Sequence, residues 1–326
     1  MSLIRHLALL WLAVLAGSVA ALCLGALDYP LHAAWAMLTD YDPADPAQAI
    51  MAGMRLPRVI AAVVVGAALA VAGVIMQAMT RNPLADPGLT GVNAGAALAV
   101  VLGLYAFGAV SQPVVAGLAL LGAALAAVLV RLLAGGGDST LRLPLAGAAF
   151  GTLCLSLVAL IVLLNPEARN IYRFWMVGSL AVSDMAAVLR LAPIAGIGIV
   201  IALLAARPIE ALMLGVEMGS ALGLNVGRVM GLGLAAVAMT AGASVAIAGP
   251  VGFIGLIAPH IARRFGGGLA AQVLLACPIG AGLAVFADLA GRWFARPAEL
   301  QLGIVLAMVG APAFMILVRR MLREAA

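Results

Sequence analysis

The sequence of 326 residues contains 18 arginines, three histidines and no lysine. A phosphate-binding P-loop requires its lysine, so the chain cannot hydrolyse ATP through such a site. A pyridoxal Schiff base requires a lysine amine and is excluded for the same reason. These absences predict a chain that is not itself an enzyme of either class.

Cysteine and histidine give no metal-ligand pattern. Cys23, Cys154 and Cys277 lie far apart in apolar runs, which is typical of small buried side chains rather than of a disulfide or a metal site. His260 follows Pro259 with no second candidate ligand nearby. We interpret it as a packed or hydrogen-bonded histidine rather than an iron ligand.

Two groups of arginines have spacings that suit carboxylate recognition. Arg55 and Arg58 are three residues apart and are expected on neighbouring positions of one helix face. Arg292 follows Asp288 by four residues and could pair with it along a helix. Exposed arginines can bind carboxylates through two hydrogen bonds, whereas the alternative is snorkelling to a membrane interface.

A polar stretch from Met79 to Ala96, MTRNPLADPGLTGVNAGA, interrupts two apolar runs. Pro83 and Pro87 are expected to end the preceding helix and stiffen the turn. Asn82 can bond freed backbone groups, and Gly88 and Gly91 permit tight turns. The alternative to a functional loop is an ordinary rigid turn.

The elements that position these residues must lie in a membrane. The sequence is 65% hydrophobic and 10% charged, with a mean hydropathy of +1.19. A soluble fold of this length could not bury so much apolar surface, whereas lipid can solvate it. Continuous apolar runs rich in Ala, Leu, Val and Gly favour closely packed helices over a barrel. The composition predicts an all-α polytopic membrane protein.

About ten transmembrane helices are predicted, with both termini in the cytoplasm. Most arginines fall at the ends that this orientation places inside. The run from Leu7 to Ala26 is longer than the apolar core of a signal peptide, so we expect an uncleaved first span. The predicted spans cover about 6–26, 57–79, 92–108, 113–132, 143–164, 190–206, 229–248, 251–264, 270–291 and 302–319.

Two segments depart from a simple series of spans. The eighth span is too short to cross the bilayer, and it follows a Gly/Pro-rich stretch that is tolerable only where protein or a wet cavity surrounds it. A merely kinked helix is the alternative.

The loop 207–228 contains an expected amphipathic helix from Glu210 to Leu222, with Leu214, Met218, Ala221 and Leu222 on one face. This helix either lies on the membrane surface or docks a cytoplasmic partner.

Long stretches of the sequence resemble the bacterial permeases that import iron–siderophore complexes, haem and vitamin B12. Residues 55–98 are similar to the second and third spans of that family. Residues 249–267 and 287–320 match its C-terminal part, and VEMGSALGLNVGR matches its cytoplasmic docking loop. The resemblance runs from Arg55 to the C-terminus in the right order.

This resemblance implies a type II ABC importer permease, with residues 1–326 forming one transmembrane domain. It implies a second permease copy or a related chain, two cytoplasmic ATPase subunits that carry ATP and magnesium, and a periplasmic binding protein. It implies no cofactor in this chain, no nucleic-acid partner, and a place in the bacterial inner membrane among its lipids.

The resemblance also implies roles for individual residues. Asn82 and Leu84 would close the cytoplasmic gate opposite Ser139 and Thr140, although Leu141 stands where family members can carry another polar residue. The ATPase would dock at Glu217, Leu222, Gly223 and Leu224. The binding protein would dock at Arg55, Arg58 and Arg292, and the Asp288 pair would weaken Arg292 in that role. No metal ligand is implied.

Alternatives remain open both for the cargo and for the class of transporter. The segments around residues 80–104 and 163–181 look closest to ferric catecholate siderophore permeases, and haem or cobalamin is the alternative cargo. A secondary transporter or channel without an ATPase is a competing class, which commonly carries intramembrane acids. Asp288 is the candidate for such an acid, but it is expected near the outer boundary.

Overall fold

The computed structural model describes residues 3–108, 111–135, 142–181 and 184–324, which form helices and no strand. A π-helical turn at Met51–Arg55 leads into the fourth helix, and a 3-10 turn at Pro87–Thr90 precedes the fifth. The helices are α1 Leu3–Cys23, α2 Leu31–Thr39, α3 Pro46–Ile50, α4 Leu56–Thr80, α5 Val92–Phe107, α6 Gln112–Ala134, α7 Arg142–Leu164, α8 Pro166–Trp175, α9 Met185–Met213, α10 Val216–Ala221, α11 Val226–Ala248, α12 Ile254–Arg263, α13 Leu269–Phe294 and α14 Leu302–Glu324.

Each predicted span coincides with one of these helices, and the class of an all-helical membrane protein is confirmed. Within the described residues, seven helical stretches are long and apolar enough to cross a membrane. The apolar segments Val92–Phe107 and Leu302–Ile316 are shorter. The short amphipathic helix α8 follows α7 directly. The number of crossings and their orientation remain predictions.

Helix α4 is the centre of the bundle. It is buried along nearly all its length and packs against α13, α11, α12 and α9. Glycines permit this approach, because a Cβ added at Gly66 would lie 2.2 Å from the Gly280 carbonyl oxygen. A Cβ added at Gly73 would lie 2.0 Å from the Gly255 carbonyl oxygen. The small residues noted in the composition thus set the distances between helix axes.

Buried hydroxyl groups in the bundle are satisfied within their own helices. Thr240 Oγ1 donates to the Ala236 carbonyl at 2.7 Å, and Ser244 Oγ donates to the Thr240 carbonyl at 2.8 Å. Thr80 Oγ1 donates to the Met76 carbonyl at 2.7 Å. These bonds let polar side chains lie in an apolar bundle without an orphaned donor.

The break before α12 is enclosed by protein, as predicted for irregular backbone at membrane depth. Helix α12 has ten residues, or about 15 Å, against about 30 Å of hydrocarbon. The Ala248 carbonyl that ends α11 accepts a hydrogen bond from Ser179 N at 2.7 Å. The Gly178 carbonyl accepts one from Gly303 N at 3.0 Å. Backbone groups around the break therefore bond to one another rather than facing lipid.

Candidate functional site

A buried ion cluster lies where α4 begins and α13 ends. Asp288 accepts hydrogen bonds from Arg58 Nε at 2.9 and 3.0 Å and pairs with Arg58 Nη2 at 2.9 Å. Its second oxygen lies 3.0 Å from Arg292 Nε, so the predicted pair four residues apart is present. Glu299 adds a 2.6 Å bond to Arg58 Nη1. One carboxylate is thus shared between two guanidinium groups.

The C-terminal carbonyls of α1 are capped by two arginines. Arg55 Nη1 donates to the carbonyls of Leu22 at 2.7 Å and Cys23 at 3.0 Å, and its Nη2 donates to the Leu27 carbonyl. Arg292 Nη1 donates to the Ala21 carbonyl at 3.0 Å. The last carbonyls of a helix have no intrahelical partner and favour nearby positive charge, which explains this arrangement.

The expectation that these arginines are exposed is wrong. Arg55 and Arg58 are 8% exposed and Arg292 is 2% exposed, because each guanidinium is engaged within the chain. Arg55 also stacks over the Tyr29 ring, with 4.6 Å to its centroid. Arg55 and Arg58 have different partners, since Arg55 donates to carbonyls at the end of α1 and Arg58 pairs with Asp288 and Glu299. The three arginines neither extend to a membrane interface nor form an open carboxylate-binding pair.

These arginines nonetheless border a small pocket. The pocket holds about 160 Å³ and is lined by Arg55, Arg58, Arg292, Glu299 and several apolar neighbours. Arg292 Nη2 is buried without a hydrogen-bond partner among the described residues. An exposed pair between Arg296 and Asp28 at 2.5 Å lies at the same end of the bundle. The hydrogen bond from Arg296 lowers the pKa of the Asp28 carboxyl.

The loop after α4 contains the local hydrogen bonds that Asn82 predicts. Asn82 Oδ1 accepts a hydrogen bond from Leu84 N at 2.9 Å, and Ala85 N donates to the Asn82 carbonyl at 3.1 Å. Gly91 has φ +74°, which glycine adopts without strain. Burial raises the pKa of Asp86, whose carboxylate accepts a 2.8 Å bond from Gly88 N.

Ser139 and Thr140, together with Leu141, lie outside the described residues. The pairing of Asn82 and Leu84 with Ser139 and Thr140 therefore remains a prediction.

The predicted helix Glu210–Leu222 is wrong as one element. Helix α9 continues through Glu210 to Met213, and a turn at Gly215, φ +140°, separates it from α10. Glycine adopts this positive φ without strain. The amphipathic pattern alone gave no indication of the break.

The side chains predicted for one apolar face of this segment are exposed, although Leu214 lies before the break at Gly215 and the other three lie after it. Leu214, Met218 and Leu222 are 78%, 55% and 64% exposed, and Ala221 is exposed with them. Glu217 is exposed as well. Gly223 has φ +80° and turns the chain back, so that Leu224 packs against the bundle core. Of the predicted docking residues, Glu217 and Leu222 are accessible, while Gly223 and Leu224 shape the turn.

Sequence reasoning missed the residues that join these features. Glu299 reaches Arg58 across 241 residues, and Arg263 Nη1 donates to Gln77 Oε1 at 2.7 Å across 186 residues. No local sequence pattern indicates such pairs, because the spacing rules describe only residues that are neighbours on the same helix. The described residues contain no group of three or more His, Cys, Asp or Glu arranged to hold a metal ion.

Comparison with known proteins agrees with this architecture. The FecCD transport family matches residues 11–320. The Fe(3+)-citrate import system permease protein YfmD of Bacillus subtilis is 41% identical, over 84% of this chain and 82% of its own. The ferric enterobactin transport system permease protein FepD of Escherichia coli is 40% identical, over 85% and 84%. The hemin transport system permease protein HmuU of Yersinia pestis is 35% identical, over 91% and 90%.

A solved structure gives the same result at the level of the fold. A metal-chelate type ABC transporter in an inward-facing conformation superposes with a TM-score of 0.84 and 27% identity. The alignment covers 98% of this chain and 99% of that chain. Because the family match spans nearly the whole sequence, this chain belongs to the FecCD transport family, as a helical membrane permease and not an enzyme.

Proposed function

We propose that this chain is the permease subunit of a type II, ATP-driven importer that moves an iron(III)–siderophore complex from the periplasm to the cytoplasm across the bacterial inner membrane. The observation that carries the proposal is the similarity to ferric citrate and ferric enterobactin permeases over more than four-fifths of both chains. The hemin permease supports haem as the second candidate cargo at lower identity.

The ATPase partner is proposed to bind the exposed side chains of Leu214, Met218 and Leu222. Large apolar side chains at this exposure, beside the charged Glu217, suit a partner surface more than bulk water. Two ATPase subunits would carry ATP and magnesium, and a second permease copy would complete the pathway. Residues 207–228 form the docking segment in this proposal, within a single permease domain of residues 1–326.

The binding protein is proposed to dock over the arginine-lined pocket rather than on freely exposed arginines. Arg292 lines this pocket, which supports the role, because its guanidinium contributes positive charge that attracts a carboxylate. Arg55 and Arg58 border the same pocket and would add attraction for an acidic side chain. At the other end of the bundle, Asn82 and Leu84 would close the gate with Ser139 and Thr140.

The proposal is tested by uptake into proteoliposomes that contain the permease, its ATPase and its binding protein. Ferric enterobactin, ferric citrate, hemin and cobalamin are supplied separately, and cargo inside the vesicles is measured with and without ATP. We expect ATP-dependent accumulation of a ferric siderophore. A matched complex whose ATPase lacks its P-loop lysine should accumulate none. Uptake of hemin or cobalamin alone would identify that molecule as the cargo instead of a siderophore complex. Uptake without the ATPase would refute the proposal of an ATP-driven importer.

A further inference from the structure

Helix α4 ends with an arginine in a conformation that glycine usually adopts. Arg81 has φ 50° and ψ 32°, in the left-handed region. Asn82 N donates to the Gln77 carbonyl at 3.1 Å, and Arg81 N donates to the Ala78 carbonyl at 3.3 Å. These two bonds form a Schellman ending, whose left-handed position is disfavoured for a residue that carries a Cβ. A side-chain role is therefore expected at Arg81.

The Arg81 side chain reaches the base of the docking segment. Its Nη2 donates to the carbonyl of Leu212, next to the last residue of α9. Leu212 is buried, and the chain turns at Gly215 before it enters α10. The bond joins two segments that are 131 residues apart, one leading into the loop of Asn82 and the other into α10.

A cavity of about 480 Å³ lies beside this bond, so the two segments are not packed tightly against each other throughout. Its lining includes Arg81, Pro83, Glu210, Met213 and Leu214. Where side chains do not fill the space between two segments, a hydrogen bond from a charged donor is a principal means of holding them in register. The Arg81 bond lies at this boundary.

A second hydrogen-bond chain holds the same turn of α4 to α12. Arg263 Nη1 donates to Gln77 Oε1 at 2.7 Å, and Gln77 Nε2 donates to the Gly255 carbonyl at 3.1 Å. Gln77 is buried and its amide uses both its donor and its acceptor. The end of α4 is thereby fixed to the bundle, and Arg81 extends from this fixed point to the docking segment.

We propose that Arg81 is a positioning residue that couples the docking segment 207–228 to the loop of Asn82 and Leu84. Movement of α10 shifts the end of α9, and the Leu212–Arg81 bond passes that shift to the backbone that begins the loop. The inference rests on the proposed function, because it assigns a route between the ATPase contact and the gate. It adds a residue and a contact that the docking and gate assignments do not contain.

The test separates the side chain of Arg81 from its backbone. Arg81→Gly removes the guanidinium but suits the left-handed conformation, so the backbone turn at the end of α4 should be kept. Arg81→Lys keeps a charged donor of similar length. Arg5→Ala, at an exposed arginine of α1, is the matched control for loss of positive charge. Each permease is reconstituted with its ATPase and binding protein, and cargo uptake, ATP hydrolysis and ATPase retention are measured.

We expect Arg81→Gly to lower cargo moved per ATP hydrolysed by about tenfold, the change expected when a hydrogen bond from a charged donor is lost. The ATPase should remain bound and hydrolyse ATP, Arg81→Lys should recover part of the ratio, and Arg5→Ala should match the wild type. An unchanged ratio in Arg81→Gly would overturn the inference. A ratio in Arg81→Lys as low as in Arg81→Gly, an unfolded Arg81→Gly permease, or one that releases its ATPase would overturn it too. Failure of the wild-type complex to take up cargo would instead refute the proposed function.

Discussion

At the scale of single residues, Asp288 is an acid that two buried arginines share. It is 2% exposed and lies between Arg58 and Arg292, which are themselves buried. Burying such charges is costly, and the cluster persists because each carboxylate oxygen faces a guanidinium. Its position among arginines is that of a paired structural acid, not of an isolated proton carrier.

Replacing Asp288 is therefore expected to lower the stability of the fold strongly. Asp288→Asn would leave Arg58 and Arg292 without their shared carboxylate and lower the free energy of unfolding by about 3–5 kcal/mol. Thermal unfolding of the purified permease in detergent would measure the loss. Asp28→Asn is the matched control, because Asp28 pairs with Arg296 at an exposed site where solvent screens the interaction. Equal melting temperatures for the two variants would contradict the assigned importance of the buried cluster.

At the scale of helices, the contact between α4 and α13 depends on two facing glycines. Gly66→Ala would place a Cβ 2.2 Å from the Gly280 carbonyl oxygen, which is backbone and cannot rotate away. We expect the helices to separate and the free energy of unfolding to fall by about 1–3 kcal/mol. Gly196→Ala in α9 is the control, since no heavy atom lies within 4 Å of its added Cβ. A Gly66→Ala permease that melts at or above the wild-type temperature would refute this account of the packing.

The docking segment gives a second test at the scale of elements. Met218→Asp places a charge on the exposed apolar face of α10 without disturbing the core. Loss of a central apolar anchor is expected to weaken ATPase binding by about 2 kcal/mol, or about 30-fold. Ser220→Asp carries the same charge to another face of α10 and should have a smaller effect. Equal ATPase affinity for both variants and the wild type would remove this face from the interface.

At the scale of the whole molecule, α4 separates the arginine cluster from the loop of Asn82. Its 25 residues span about 37 Å, more than the ~30 Å of bilayer hydrocarbon. The two candidate docking regions thus lie at opposite ends of the bundle. This separation is what an importer with one partner on each side of the membrane requires.

The orientation can be measured with single cysteines. In a background without Cys23, Cys154 and Cys277, Met218→Cys places a thiol in α10, and Asp42→Cys places one between α2 and α3. A membrane-impermeant maleimide should label Asp42→Cys in right-side-out vesicles and Met218→Cys in inverted ones, as expected from the arginine bias. Labelling of both positions from one side would contradict the predicted topology.

The sequence alone determined the class, the approximate helices and the family resemblance. Hydropathy and the requirement for internal backbone bonding in lipid leave few choices for a chain of this composition. Spacing also predicted the Asp288–Arg292 pair, because residues four apart on a helix are neighbours. The prolines and Asn82 predicted the end of α4 and the hydrogen-bonded turn after it through local backbone chemistry.

Only the tertiary structure decided what the side chains face. Arg55, Arg58 and Arg292 had the spacing of exposed carboxylate binders, yet α1, Asp288 and Glu299 enclose them. The bond from Arg81 to Leu212 depends likewise on how the end of α9 meets the end of α4. Local patterns specify which face of a helix is polar, but burial and pairing depend on segments that are distant in sequence, and those are fixed only when the bundle packs.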